Sequence, residues 1–85
     1  MDFRLKVFYT VAIRLNFTKA AAELYISQPA VSKHIQELEE TYKTKLFERN
    51  GSKIALTPAG NLLLQHTKSI FDIYREIEFD MSSFV

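Results

Sequence analysis

Gln28, Ser32, Lys33 and Gln36 fall on one side of a helix drawn through "SQPAVSKHIQELE", residues 27–39. Together they carry amide donors and acceptors, a hydroxyl and an ammonium group. A Gln side chain pairs bidentately with adenine, a Lys reaches guanine, and the apolar surfaces of Pro29 and Ala30 suit a thymine methyl. This is chemistry for reading base edges. The residues that would make or break bonds do not gather in the same way. No paired carboxylates, nucleophile–base set or glycine-rich phosphate loop is present, and the chain has two glycines in all. His34 and His66 lie far apart without nearby ligand partners. There is no cysteine, which excludes disulfides and thiolate metal sites. No catalytic residue, metal or cofactor is expected.

Base reading requires a helix that presents this face outward. Pro29 raises a difficulty, because an interior proline removes a backbone donor and clashes with the preceding turn, at about 3 kcal/mol. The difficulty disappears if two helices meet here. Ser27 then caps the second, and Pro29 lies in its first turn, where the backbone donors have no intrahelical acceptor. Val31, Ile35, Leu38 and Tyr42 follow at helical spacing and are expected to face inward. The preceding helix reads as about residues 19–25, with Thr18 as its cap, Phe17 as a hydrophobic staple, and Ala21, Leu24 and Tyr25 toward the core. Ile26 plugs the core from the turn between them. Ahead of this pair, Phe3, Val7, Phe8, Val11, Ala12 and Leu15 predict a first helix over 2–15, with Asn16 as a left-handed stop.

Helix, short turn, helix is the helix-turn-helix arrangement, whose second helix enters the major groove by its N-terminal end. The acidic Glu37, Glu39 and Glu40 come only at the far end of that helix. Thr18 and Lys19, at the start of the preceding helix, offer amides and a positive dipole end to a phosphate. "LFERNGSKIALT" then predicts two short strands, about 46–49 and 53–56, around an Asn-Gly turn. Arg49, Asn50, Ser52 and Lys53 would form a basic, hydrogen-bonding hairpin tip suited to phosphate or minor-groove contact. An ordinary solvated face would also be polar, and scattered Arg and Lys are common on surfaces. The combination with the helix-turn-helix layout favours nucleic acid. A winged helix that bound only protein would more often carry an apolar face at this point.

The charge distribution agrees. Residues 1–57 hold nine Lys or Arg and six Asp or Glu, a net +3, whereas residues 58–85 hold two and four, a net −2. Arg4 and Lys6 precede the apolar "VFYTVAI". That run is short, contains Thr10, ends at Arg14 and has helical spacing, so it reads as part of the first helix and not as a signal peptide. No apolar run approaches the ~20 residues of a membrane span.

"NFTKAAAELYISQPAVSKHIQELEETYKTKLFERNGSKIALTPAG" strongly resembles the DNA-binding domain of LysR-type transcriptional regulators. "SQPAVSKHIQELE", "LFER" and "LTPAG" at this spacing carry the resemblance, which extends over essentially the whole chain. It implies a mostly α fold: a winged helix-turn-helix of three helices and a two-stranded wing, then a long linker helix. The helix-turn-helix unit would span about 18–37 and the wing about 46–56, within a domain of residues 1–57. Ser27, Gln28, Pro29, Ser32 and Lys33 match family positions that contact DNA, and Arg49 and Lys53 match the wing. Lys33 stands where many members have Arg, and lacks the bidentate fork. The resemblance further implies a bacterial, cytoplasmic, nucleoid-associated regulator acting on an interrupted, AT-rich inverted repeat. It implies an effector-binding domain downstream, absent from this chain, through which alone a small-molecule effector would act, and possibly a tetramer in the full-length protein.

Thr57-Pro58 repeats the cap-plus-proline signature, and a helix is predicted over about 58–82. Leu63, Ile70, Ile77 and Phe84 recur every seven residues, with Ile73, Tyr74 and Met81 beside them. Leu62 and Leu63 are expected against the first helix. From Ile70 onward no element of the chain remains to cover the stripe, which predicts a partner surface. The expected partner is a second copy, paired antiparallel as the resemblance implies.

Overall fold

The computed structural model describes residues 2–85, as four helices and one hairpin in the order α1 (Phe3–Arg14), α2 (Phe17–Leu24), α3 (Gln28–Tyr42), β1 (Phe47–Asn50), β2 (Lys53–Leu56) and α4 (Pro58–Ser82). The three short helices enclose the core. Val7, Phe8, Val11 and Ala12 of α1 meet Ala20 and Ala21 of α2 and Val31, Ile35 and Leu38 of α3, and Leu46 and Phe47 close the end beneath the wing. The two alanines let α2 approach closely.

The junctions differ from the sequence expectation in detail. Leu15, and not Asn16, takes the left-handed conformation, with φ 49°. Asn16 instead caps α2, its Oδ1 accepting from the Lys19 amide at 2.8 Å. The helix therefore starts at Phe17, and Thr18 lies in its first turn. An extended Asn carboxamide reaches the third helical amide, so no second cap is needed. At the other end, Tyr25 is left-handed and 95% exposed, where an inward position was expected. Leaving the helical conformation swings Tyr25 off the helix face and brings Ile26 into its place. The Ile26 amide donates to the Ala21 carbonyl at 3.1 Å, and its side chain packs on the core. Lys43 ends α3 in the same way, and Thr44 N–H donates to Glu39 O at 3.1 Å. Tyr42 is correspondingly exposed, because α3 has passed the edge of the core, whose last α3 residue is Leu38.

The α1–α2 pair is clasped outside the core by Arg14, whose Nε donates to Glu23 Oε2 at 2.7 Å. That hydrogen bond holds the Glu23 carboxyl below its ordinary range.

α4 begins with Thr57, whose Oγ1 accepts from the Gly60 amide at 3.0 Å and donates to the Lys45 carbonyl at 2.6 Å. Ala59, Leu63 and Leu64 pack on the core, but Leu62 is exposed. One residue rotates a helical side chain by about 100°, so 63 reaches the core while 62 stays at the rim of the surface cleft that both line. Leu63 thus packs on its own core and is half-buried there. Coverage also extends further than expected. Phe71 meets Tyr9 of α1 edge-on, with centroids 4.8 Å apart, and Ile70 and Phe71 are half-buried. Beyond them Ile73, Tyr74, Ile77, Phe79 and Met81 are exposed. The molecule is elongated, 50 × 26 × 20 Å, because α4 runs about 37 Å at 1.5 Å per residue.

Gly60 sits where α4 crosses the chain entering β1. A Cβ there would overlap the Leu46 carbonyl oxygen and come within 2.9 Å of Leu56 Cδ2. The backbone oxygen cannot step aside without dragging the wing. Gly60→Ala is expected to cost about 1–3 kcal/mol, the range for an overpacked core. A urea midpoint equal to that of the parent chain would show that the crossing has slack.

Candidate nucleic-acid interface

Ser27 caps α3 with its backbone extended (φ −75°, ψ 156°) and its Oγ accepting from Ala30 N–H at 3.2 Å. Pro29 follows in the first turn, as its φ preference requires. The buried stripe Val31–Ile35–Leu38 turns the other face outward. On that face Pro29, Lys33 and Gln36 are exposed, whereas Gln28, Ala30 and Ser32 are half-buried. Gln28 and Ser32 are joined: Gln28 Nε2 donates to Ser32 Oγ at 2.9 Å. One carboxamide donor is therefore engaged in the free chain, and the pair presents one polar unit.

The wing is antiparallel, with Phe47 opposite Leu56, Arg49 opposite Ile54 and Asn50 opposite Lys53. The connecting residues are Gly51 and Ser52. Gly51 has φ +63°, and Ser52 needs no positive φ. The tight turn is thus Gly-Ser, with glycine first, and not the Asn-Gly turn expected. Strand alternation divides the four candidate wing residues. Asn50, Ser52 and Lys53 gather at the tip. Arg49 sits one pair back, on the face shared with the buried Phe47, its guanidinium carbon 5.5 Å from the centre of the Phe17 ring. Between α3 and the wing lies a cleft of about 510 Å³, into which Ser32, Gln36, Phe17 and Arg49 all open.

At the start of α2, Thr18 and Lys19 are exposed. The Lys19 amide, expected to be open to phosphate, is occupied by Asn16.

Two positioning residues were not anticipated. Phe17 is the platform beneath Arg49. Glu39, expected only as an acid kept away from phosphate, accepts from the Leu46 amide through Oε2 at 2.8 Å and has Lys45 Nζ 3.7 Å from its Oε1. It anchors the wing to α3. Only its position near the end of α3, facing the chain that follows, hints at this. Among the described residues, no group of three or more His, Cys, Asp or Glu could hold a metal ion, and no helix is long and apolar enough to cross a membrane.

Residues 3–61 match the family profile described as "Bacterial regulatory helix-turn-helix protein, lysR family". The chain belongs to the LysR family. It is 40% identical to the HTH-type transcriptional regulator CysL of Bacillus subtilis over 77 residues, 91% of this chain and 26% of CysL. Its fold is similar to that of the BenM DBD in the benA site 1 DNA complex, with TM-score 0.91, 30% identity, and 99% of this chain and 96% of that chain covered. It is also similar to the CbnR DBD in its DNA complex, with TM-score 0.85, 32% identity and full coverage of both chains. The winged helix-turn-helix and long fourth helix of this LysR chain are therefore the architecture of those domains. The chain spans about a quarter of the length of the curated LysR-type relatives it matches.

The Glu39–Leu46 bond makes a local prediction. Glu39→Ala leaves the Leu46 amide without its acceptor, a loss of about 1–3 kcal/mol for a buried donor. Leu46 should lose hydrogen-exchange protection selectively, while the α1 amides keep theirs relative to global stability. Unchanged protection at Leu46 would mean that the carboxylate does not hold the wing.

Proposed function

We propose that this chain binds double-stranded DNA sequence-specifically, as the DNA-binding part of a dimeric LysR-type transcriptional regulator. The observation that carries this reading is the open start of α3. Gln28, Pro29, Ala30, Ser32, Lys33 and Gln36 form an outward face of donors, acceptors and small apolar surfaces. Arg49, Asn50, Ser52 and Lys53 stand on the hairpin beside it. The first set has the dimensions and chemistry to read base edges in a major groove, and the second to hold the flanking backbone. Ser27 shapes the approach by fixing the helix start, and Thr18 and Lys19 lie where a phosphate beside α2 would pass. Two solved neighbours of the same architecture are complexes with DNA. The polar α3 face argues against a winged helix devoted to protein partners.

The second copy would pair through the part of α4 that the core leaves bare, namely Ile73, Tyr74, Ile77 and Met81, with Ile70 at the margin. A two-fold pair of this kind reads a site with matching symmetry, here an interrupted, AT-rich inverted repeat in the bacterial cytoplasm. A small-molecule effector and any tetramer would involve a further domain. Regulation and not catalysis is the role that the names of its relatives support.

Base-reading and backbone-holding residues separate in a titration of preferred and scrambled duplexes at several salt concentrations. Gln28→Ala and Ser32→Ala should each narrow the gap between the two duplexes, by about 1–3 kcal/mol where the contact is bidentate. Because the two side chains share a hydrogen bond, the double variant should lose less than the sum. Arg49→Ala should weaken both duplexes alike and lower the salt slope by about 0.9 for each phosphate left unneutralised. A changed sequence preference with an intact salt slope in Arg49→Ala would overturn these assignments.

A further inference from the structure

Phe17 occupies the first helical position of α2, so a role in capping or simple packing would be unremarkable. Its contacts indicate more. Its ring meets Phe47 edge-on, with centroids 5.9 Å apart and planes at 67°, and Phe47 in turn lies 5.5 Å from Phe8, which has no exposed surface. The three rings form a line from the centre of the core to the surface. At its outer end the Arg49 guanidinium lies over Phe17 at 5.5 Å. A ring face attracts a cation within about 6 Å of its centroid. Arg49 has no carboxylate partner among the ion pairs of the described residues. A long, exposed arginine without such a support samples many rotamers, and ordering it on DNA would cost entropy. Phe17 and Arg49 also open into the cleft that holds Ser32 and Gln36.

We propose that Phe17 is a positioning residue for DNA binding: its ring, locked by Phe47, holds the Arg49 guanidinium in the cleft beside the reading face of α3, directed at the backbone phosphate that borders the groove α3 enters. The role rests on the DNA binding proposed for this chain. It assigns α2 a part in recognition that acts through the wing and is distinct from any contact by Thr18 or Lys19. Phe17 itself touches no DNA; it sets where the cation waits.

Phe17→Leu keeps an apolar side chain but removes the ring face, and Phe17→Trp keeps a ring face. The readout is the slope of log affinity against log salt on one duplex, with thermal unfolding as a parallel measurement. Arg49→Ala is the reference and should lower the slope by about 0.9 per protomer. Phe17→Leu should reproduce most of that change, Phe17→Trp should retain the parent slope, and Phe17→Leu combined with Arg49→Ala should lower it no further than Arg49→Ala alone. A ring-fluorinated phenylalanine at position 17, which keeps the shape and drains the negative ring face, should also lower the slope, and it serves if Phe17→Leu unfolds. If Arg49→Ala lowers the slope while Phe17→Leu and the fluorinated ring leave it intact, the positioning role is refuted and the DNA reading stands. If Arg49→Ala itself leaves the slope unchanged, the assignment of Arg49 to phosphate fails first, and the proposal with it.

Discussion

One short stretch of backbone, Lys45–Leu46, carries the geometry on which the rest of the molecule depends. The Leu46 amide is held by Glu39 of α3, the Leu46 carbonyl accepts from the Thr57 amide at 3.1 Å, and the Lys45 carbonyl accepts from the Thr57 hydroxyl. Three elements thus meet at neighbouring peptide groups: α3, the wing and α4. Gly60 is required at the crossing because α4 passes too close to the Leu46 oxygen for any side chain. Buried backbone groups need partners. Here the partners come from elements distant in sequence, so satisfying them also sets the angles between those elements.

The core alone would not achieve this. In a chain of 85 residues the buried apolar set is small, and hydrophobic burial is non-directional. It gathers α1, α2 and α3 but does not choose where a four-residue strand points. Direction comes from the polar bonds around Leu46 and from the ring line Phe8–Phe47–Phe17, whose tilted and edge-on contacts favour particular orientations. The wing is therefore tied at its base by hydrogen bonds and along its inner face by aromatic packing. Its tip, Asn50 to Lys53, is left to solvent. A tied base with an accessible tip suits the duplex binding proposed for this chain.

Much of this was legible in the sequence, because the strongest signals are local. Ser27 before Pro29 and Thr57 before Pro58 marked two helix starts, and Val31, Ile35 and Leu38 marked the buried side of α3. The outward polar face followed by subtraction. The helix ends were harder to read. Leu15, Tyr25 and Lys43 all adopt positive φ, which costs an ordinary residue about 1–2 kcal/mol and has no signature in these residue types. The capping bonds to Val11, Ala21 and Glu39, together with the burial of Ile26, offset that cost, and they exist only once the chain has folded. The roles of Glu39 and Phe17 were hidden for the same reason. Each acts on a residue seven or more positions away, and no residue type in their own neighbourhood names the partner. Leu62 and Leu63 show how a single residue of helical phase separates a core position from an exposed one.

The fourth helix bears on the pairing proposed for this chain. α1 packs on its first half, and its second half shows an apolar stripe, Ile73, Tyr74, Ile77 and Met81, that stays exposed among the described residues. Two copies joined there would carry two reading helices, which two-fold symmetry would place on successive turns of one face of a duplex. Hydroxyl-radical footprinting of the intact chain on a duplex selected from a random pool measures this directly. Two protected stretches are expected on the same face, about 34 Å apart, one turn of the double helix. A single protected stretch at saturating protein would contradict a paired reading unit.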